Sequence, residues 1–578
     1  MSLDGTTSDE QTVARQLALG LARHGVEVIF GQSLPSLLVL EAESQGIRQL
    51  TYRTENAGGT MADGFARVSN RVGVVTAQNG PAATLLVPPL AEAMKASIPV
   101  VALVQDVPAS NRERNAFQDF DHIGMFDPCS KWVRRLEDPD RAEDYLDMAF
   151  TAALTGRPGP AVLMLPKDLL AERCSPRIPA RQASIASFPL DRVWPDPANV
   201  ARAAALIAEA DQPLVIAGGG VHASGAVDAI VELQRVAKVP VATTNMGKGS
   251  VDETHPLSLG VIGNVMGPGA PAHHLRDLVR SSDVVLLVGN RTNENGTDSW
   301  QLLPPDATFI HLDLDGTEVG RNYESVRLVG DARSGLAALT HALEEHDLSR
   351  REQGAEALER IIAEARTRHV NDAAAVTSSD ESPLRPERIM RELAACTGPD
   401  TIVCGDASYS TIWVSAYLRA ERAGQRFLTP RGLAGLGWGL PLALGAQVAR
   451  PDAHVVCVAG DGGFGHVWSE LETAVREELP VTIIVLNNSI LGFQKHSELH
   501  QFKSHTTATQ FGSVDHAALA RACGVTGHRV ADVAALRDAL QDANERRGPT
   551  LIDVITSDRA YPPITIWQDS ADAILGAD

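Results

Sequence analysis

Short β-branched runs alternate with longer amphipathic stretches along this chain. Apolar runs fall at 72–77, 100–104, 162–165, 213–217, 284–288, 309–312, 455–459, 481–486 and 551–555, each soon followed by Gly, Pro, Asn or Asp. Runs of this length without polar alternation suit strands buried on both faces. Their interleaving with helical stretches predicts parallel sheets covered by helices. Two stretches break the rhythm and read as linkers. Residues 176–199 mix prolines with Arg, Ser and Ala, and 346–386 pass through a charged, helix-like segment into a Ser/Thr/Pro-rich end. The expected class is therefore α/β, with three doubly wound parallel-sheet domains at 8–178, 197–347 and 384–562. The first and third share a faint repeat. Ala62-x-Gly64, a strand and Asn79-Gly80-Pro81 parallel Ala443-x-Gly445, a strand and Asp461-Gly462-Gly463.

Composition narrows the function. Over 578 residues the formal charge is −21, which disfavours phosphate backbones and anionic lipid as partners, because those need clustered Lys and Arg. The six cysteines show neither CxxC pairing nor neighbouring histidines at ligand spacing and read as reduced core residues. The uncharged runs 72–91 and 432–449 reach membrane-helix length, but Pro and Gly interrupt both, so buried strand-loop-helix units are expected instead. With no signal-peptide pattern at the start, a cytoplasmic location is the expectation.

The richest chemistry follows the run 455–459. Gly460-Asp461-Gly462-Gly463-Phe464 offers glycines that let backbone approach an anion, a helix expected near Val467 to aim its dipole there, and an Asp461 oxygen for a divalent cation. The run 481–486 ends in Asn487-Asn488-Ser489-Ile490-Leu491-Gly492. Adjacent parallel strands end side by side, so Asp461 and Asn488 can meet on one ion, and Mg²⁺ suits an all-oxygen site completed by diphosphate.

GDG at one strand end and NN at the next resembles the thiamine diphosphate signature. The chain as a whole is similar to the acetolactate synthase, pyruvate oxidase and benzoylformate decarboxylase family, with acetolactate synthase catalytic subunits nearest in pattern. That resemblance covers nearly the whole chain. It implies a pyrimidine-binding first domain, a central domain and a diphosphate-binding third domain. Thr54-Glu55-Asn56-Ala57-Gly58 looks like the family's segment for the catalytic glutamate, which makes Glu55 that residue. The run 429–441 resembles the segment whose apolar residue wedges under the cofactor, here Leu436, with the Ala434 carbonyl accepting from the 4′-amino group. Cofactor contacts are also implied for Gly80, Ser408, Ser410, Gly460, Gly462, Gly463, Phe464, Ile490 and Gly492, with Asp461, Asn488 and Ile490 at the metal. Gln118, Lys131 and Phe493 would line the substrate channel.

The implied activity is decarboxylation of a 2-keto acid, pyruvate by preference, through a thiamine diphosphate ylide, with the resulting enamine passed to a carbonyl acceptor. Simple decarboxylation and flavin-linked oxidation are the alternatives, and a catalytically silent relative is the non-enzyme one. In this family the active site forms between the first domain of one subunit and the third of another, which implies a homodimer or homotetramer. The central glycines Gly218-Gly219-Gly220, with Gly289-Asn290-Arg291, match positions that contact FAD or an ADP group in relatives, so FAD stays open. Two departures stand out. Ser497 occupies the place of the tryptophan that selects a larger acceptor in acetolactate synthases, and the paired histidines of the decarboxylases have no counterpart. His122 and His496 each stand alone and read as surface or core residues.

Overall fold

The computed structural model describes residues 11–175 and 182–567. Three six-stranded sheets are present, and every pairing within them is parallel. The first runs in the order Arg48–Leu50, Val28–Phe30, Gly73–Ala77, Val100–Asp106, Ala161–Pro166, Trp132–Arg135. The second runs Ser258–Val261, Val241–Thr243, Pro213–Ala217, Val284–Val288, Thr308–Asp313, Ser325–Val329. The third runs Phe427–Leu428, Ile402–Gly405, Val455–Gly460, Val481–Asn487, Thr550–Ile555, Thr526–Val530. Helices cover each sheet, so this is the three-domain α/β fold expected from the alternation.

Every apolar run singled out above matches a strand to within one residue at its start, and none of those strands lies at a sheet edge. Seven consecutive residues of Val100–Asp106 are buried, which explains their unbroken apolar character. The strands that pattern alone did not reveal are short or edge strands. Arg48–Leu50 and Trp132–Arg135 carry polar residues because one side meets solvent.

Both long uncharged runs are interrupted, the first as the expected strand-loop-helix unit and the second without the expected strand. The first becomes strand Gly73–Ala77 and helices Pro81–Leu85 and Val87–Ala96; the second becomes a loop and helix Gly439–Ala449. Among the described residues no helix is long and apolar enough to cross a membrane. The stretch 346–386 is more than a tether. It contains the helix Ser349–Thr377, which packs Leu358, Ile362 and Ala365 on the core around Leu214, Leu287 and Phe309 of the second sheet. Of the other expected linker, residues 176–181 lie outside the described residues. Beyond them, the Ala186 carbonyl accepts from the Val72 N–H beside the first sheet.

By packing, the chain forms two compact units. One comprises Met1–Asp191, Pro430–Pro451 and Ser469–Leu479; the other comprises Arg192–Thr429, Asp452–Trp468 and Pro480–Asp578. In the first unit the helices Glu55–Ser69 and Gly439–Ala449 cross backbone to backbone. A Cβ on Gly64 would overlap the Leu442 carbonyl oxygen, and one on Gly445 would overlap that of Met61. These are the glycines of the repeated Ala-x-Gly, so the repeat marks equivalent positions on two helices that pack on each other.

Gly64→Ala should therefore cost about 2 kcal/mol or more through overpacking against backbone that cannot move aside. Gly354→Ala, with no atom near its Cβ position, should gain about 0.5–1 kcal/mol of helix propensity. Calorimetric melting of the two variants should shift in opposite directions.

Candidate functional site

The strands Val455–Gly460 and Val481–Asn487 are neighbours, with Gly460 opposite Leu486, so Asp461 and Asn488 leave the sheet side by side. Asp461 is buried, and its Oδ2 accepts from the Ser489 N–H at 2.8 Å. Burial raises its carboxyl to about 6, against backbone N–H groups of Ser489, Gly462 and Asn488 that pull it down. A carboxylate destabilised in this way gains from a cation placed beside it. Asn488 is half-buried and its Oδ1 accepts from the Ile490 N–H at 3.3 Å. Its neighbour Asn487 serves the sheet instead. The Asn487 Nδ2 donates to Asp553 Oδ1 at 2.8 Å and to the Val514 carbonyl at 3.0 Å, tying the strand to the rest of the third sheet.

A single helical turn, Asp461–Phe464, begins directly on the strand end, and the helix expected near Val467 starts a few residues later, at Glu470. Gly462 packs close to Leu491 and Phe511, where a Cβ would sit 3.0 Å from each. Gly463 is buried, and Phe464 turns into the core with its ring edge-to-face with His516. The neighbouring strand Ile402–Gly405 also ends here. Ser408 precedes helix Tyr409–Tyr417 at φ +64, a costly conformation for a residue with a side chain, and Ser410 Oγ lies 3.8 Å from the Cβ position of Gly460. Asp406 braces this turn, accepting from the Ala407 N–H and, through its carbonyl, from the Thr411 hydroxyl. Ile490 bridges Gln510, and Gly492 opens helix Gly492–Phe502 against the Tyr409 ring. Thus Ser408, Ser410, Gly460, Asp461, Gly462, Asn488, Ile490 and Gly492 gather at the carboxyl ends of three adjacent strands. That is where doubly wound sheets bind ligands. Phe493, exposed, meets the same Tyr409 edge-on.

Tyr409 is a contributor that sequence reading passed over. Its hydroxyl lies 2.7 Å from His496 Nδ1, and the imidazole is stacked on Tyr561 at 3.7 Å. Burial lowers the His496 imidazole to about 4. His496 is therefore a core residue.

In the first unit, Glu55 is the first residue of helix Glu55–Ser69, behind the Thr54 cap, whose hydroxyl accepts from the Ala57 N–H. Among the described residues its carboxylate has no hydrogen-bond partner. The segment ahead of it is held by Glu470, which is fully buried. The Glu470 carboxylate accepts from the N–H groups of Arg53 and Thr54 at 3.1–3.2 Å and from the Thr473 hydroxyl at 2.7 Å. Burial pushes the Glu470 carboxyl up, and these donors offset only part of that rise. Glu92, equally buried, accepts from the N–H groups of Gly432, Leu433 and Ala434 at 2.7, 2.5 and 3.2 Å, with the Arg67 guanidinium 3.8 Å away. Ala434 has φ +60, and Leu436 beyond it is half-buried. Neither Glu92 nor Glu470 was singled out from the sequence. The available signal was a lone acid within the apolar helix Val87–Ala96.

The remaining candidates separate. Gly80, at φ +67, donates its N–H to His122 Nε2 at 2.8 Å, and a Cβ there would press on Gln118. Gln118 also receives hydrogen bonds from Gln78 and Asn79. These residues meet at the carboxyl end of the first sheet. Lys131 does not join them. It precedes Trp132–Arg135 at the opposite, amino edge, donates to the Thr155 carbonyl at 2.7 Å, and is lowered to about 8 by burial. In the second sheet, a Cβ on Gly218 or Gly220 would overlap Gly289, so close chain packing accounts for these glycines without a ligand.

Three parallel sheets covered by helices, with glycine turns and the Asp461–Asn488 pair at the carboxyl ends of the third, define a three-domain α/β protein with a candidate ligand site at those strand ends. Three family profiles agree with that class. They are those of the thiamine pyrophosphate enzyme N-terminal TPP binding domain over residues 11–125, the central domain over 200–339, and the C-terminal TPP binding domain over 406–554. The chain belongs to this thiamine pyrophosphate (thiamine diphosphate) enzyme family. Its similar curated relatives include the probable acetolactate synthase large subunit of Methanocaldococcus jannaschii, 32% identical over 94% of this chain and 91% of the relative. The acetolactate synthase large subunit of Parasynechococcus marenigrum is 33% identical over 98% and 91%. The isozyme 2 large subunit of Escherichia coli is 30% identical over 94% and 95%. The chain is a thiamine diphosphate-dependent enzyme of the acetolactate synthase-like group.

The Asp461 carboxyl carries a pH test on the apoprotein. Its folded value lies above the ordinary 3.8, so burying the charge costs stability above pH 6, and the cost fades as pH falls from 6 toward 4. Asp461→Asn should therefore be more stable than wild type at pH 7, by up to about 3 kcal/mol, with the difference vanishing near pH 4. Thermal melts across that range measure it.

Proposed function

We propose that this enzyme is a carboligase that decarboxylates a 2-keto acid, pyruvate foremost, and joins the remaining fragment to a carbonyl acceptor. The observation that carries the reading is the pairing of Asp461 and Asn488 at neighbouring strand ends, together with a Glu55 carboxylate that has no hydrogen-bond partner among the described residues. The printed names of the relatives favour the same chemistry.

The residues fit the cofactor. A cation held by Asp461 and Asn488 would take further oxygens from the Ile490 carbonyl and from a diphosphate. Mg²⁺ is the ion proposed. Thiamine diphosphate, when bound, supplies the electron sink that loss of CO₂ from a 2-keto acid requires. Glu55 would hold a proton at N1′ of the aminopyrimidine, the Ala434 carbonyl would accept from the 4′-amino group, and Leu436 would pack against the cofactor. Gly80 would contact the cofactor, and Gln118 and Phe493 would line the substrate channel. In this reading the pyrimidine residues of one subunit serve the diphosphate residues of another, making the enzyme at least a homodimer, with domains at 8–178, 197–347 and 384–562.

Carboligation is preferred over plain decarboxylation because His122 and His496 are both buried against protein partners, which leaves neither to protonate a substrate. Ser497 bonds within its own helix, from Gln501 Nε2, and as a small side chain it imposes no preference for a bulky acceptor. FAD has no role in these steps.

Glu55→Gln should bind Mg²⁺ and thiamine diphosphate with near wild-type affinity in calorimetry yet lower C2 proton exchange by about 100-fold or more, the upper part of what a positioned proton-transfer group contributes; exchange at the wild-type rate removes Glu55 from its role. Incubating the holoenzyme with 2-keto acids, with and without carbonyl acceptors, should yield hydroxyketones only when an acceptor is present. Aldehyde as sole product in both arms would make it a decarboxylase.

A further inference from the structure

Two fully buried carboxylates in the first unit do the same thing in mirror fashion. Glu92 lies on Val87–Ala96, the helix that follows the strand and turn at Gly73–Gly80. It accepts from three consecutive backbone N–H groups, those of Gly432, Leu433 and Ala434, just ahead of helix Gly439–Ala449. Glu470 opens Glu470–Arg476, which follows the corresponding strand and turn of the third domain. It accepts from Arg53 and Thr54, just ahead of helix Glu55–Ser69. The two helices so introduced are the pair that cross at Gly64 and Gly445. Each half of the repeat thus reaches over the crossing and anchors the loop that introduces the other half's helix.

What the anchored loops present makes this more than packing. On the thiamine diphosphate reading above, the loop held by Glu470 delivers Glu55, and the loop held by Glu92 delivers the Ala434 carbonyl and Leu436. A backbone N–H in such a loop would otherwise need water, and Ala434 sits at φ +60. A buried carboxylate with two or three converging donors fixes the position of that loop far more strongly than a neutral acceptor. Both acids are 0% exposed and the loop donors are backbone groups, so this geometry is built into the fold and does not depend on surface side chains.

We propose that Glu470 and Glu92 are reciprocal positioning residues, Glu470 setting the proton-handling carboxylate Glu55 and Glu92 setting the ring-clamping segment 434–436. Neither touches the cofactor.

The test uses the full-length protein and two readouts. In the apoprotein, amide hydrogen exchange followed by mass spectrometry should rise at least about tenfold at 53–54 in Glu470→Ala while 432–434 stays protected, since each loop loses charge-assisted hydrogen bonds of its own. Glu92→Ala should show the reverse. Loss at both loops in either variant, or at neither, overturns reciprocal anchoring. In the holoenzyme, Glu470→Ala should slow C2 proton exchange at least about tenfold with thiamine diphosphate still bound, as misplacing a proton-transfer group does. Glu470→Gln, whose amide oxygen can still accept from Arg53 and Thr54, should recover to within roughly threefold of wild type. Glu92→Ala should instead weaken thiamine diphosphate binding at least about tenfold. Wild-type C2 exchange in Glu470→Ala alongside loss in Glu55→Gln would sink this proposal alone; wild-type exchange in Glu55→Gln would sink the reading it rests on, leaving the apoprotein arm to judge the anchoring. Should Glu470→Ala fail to fold, Glu470→Asp, which withdraws the charge by one methylene, carries the same measurements with a smaller effect in the same direction.

Discussion

Parallel pairing is the constraint from which the rest follows. A parallel strand returns only by way of a crossover, so neighbouring strands point the same way and their carboxyl ends share one edge. In the third sheet this brings Gly460 opposite Leu486 and puts Asp461 and Asn488 beside each other, although helical turns and a strand separate them in sequence. Strand Ile402–Gly405 adds a third end and, with it, the Ser408 turn. No long-range side-chain pairing is needed to assemble this group, because the hydrogen-bond register of the sheet does it.

Removing a carboxylate from water is expensive, and it persists only where hydrogen bonds or a counter-charge compensate. Glu92 and Glu470 are compensated by backbone N–H groups of the chain, Glu92 with the Arg67 guanidinium nearby as well. Burial leaves the carboxyls of Glu470 and Asp461 raised all the same. What separates them is place: Glu470 ties one loop of the fold to another helix, whereas Asp461 stands at a strand end beside Asn488.

Much of this was legible from residues alone, for reasons that differ by element. The central strands announced themselves, since a strand covered on both faces rarely carries polar residues, as in Val100–Asp106 and Val481–Asn487. Edge strands such as Arg48–Leu50 could not, because solvent on one side permits any residue. GDG and NN were visible because glycine, a hard oxygen donor and a strand end are each distinctive. Glu92, Glu470 and Tyr409 were invisible because their partners are backbone groups or a histidine far away in sequence. Lys131 shows the opposite case: a motif-like position that the strand direction sends to the amino edge of the sheet.

The crossing of Glu55–Ser69 with Gly439–Ala449 also bears on what can be isolated from this protein. A fragment ending near residue 191 would carry the whole first sheet, yet it would lack Pro430–Pro451 and Ser469–Leu479, which pack with it as one unit. The face around Ala62 and Gly64 would then meet water, and Glu92 would lose all three of its backbone donors. The segment that folds as a unit is therefore not a continuous stretch of sequence. Limited proteolysis between sequence domains would yield pieces with exposed apolar surface and a buried acid stripped of its donors, and such pieces are prone to aggregate.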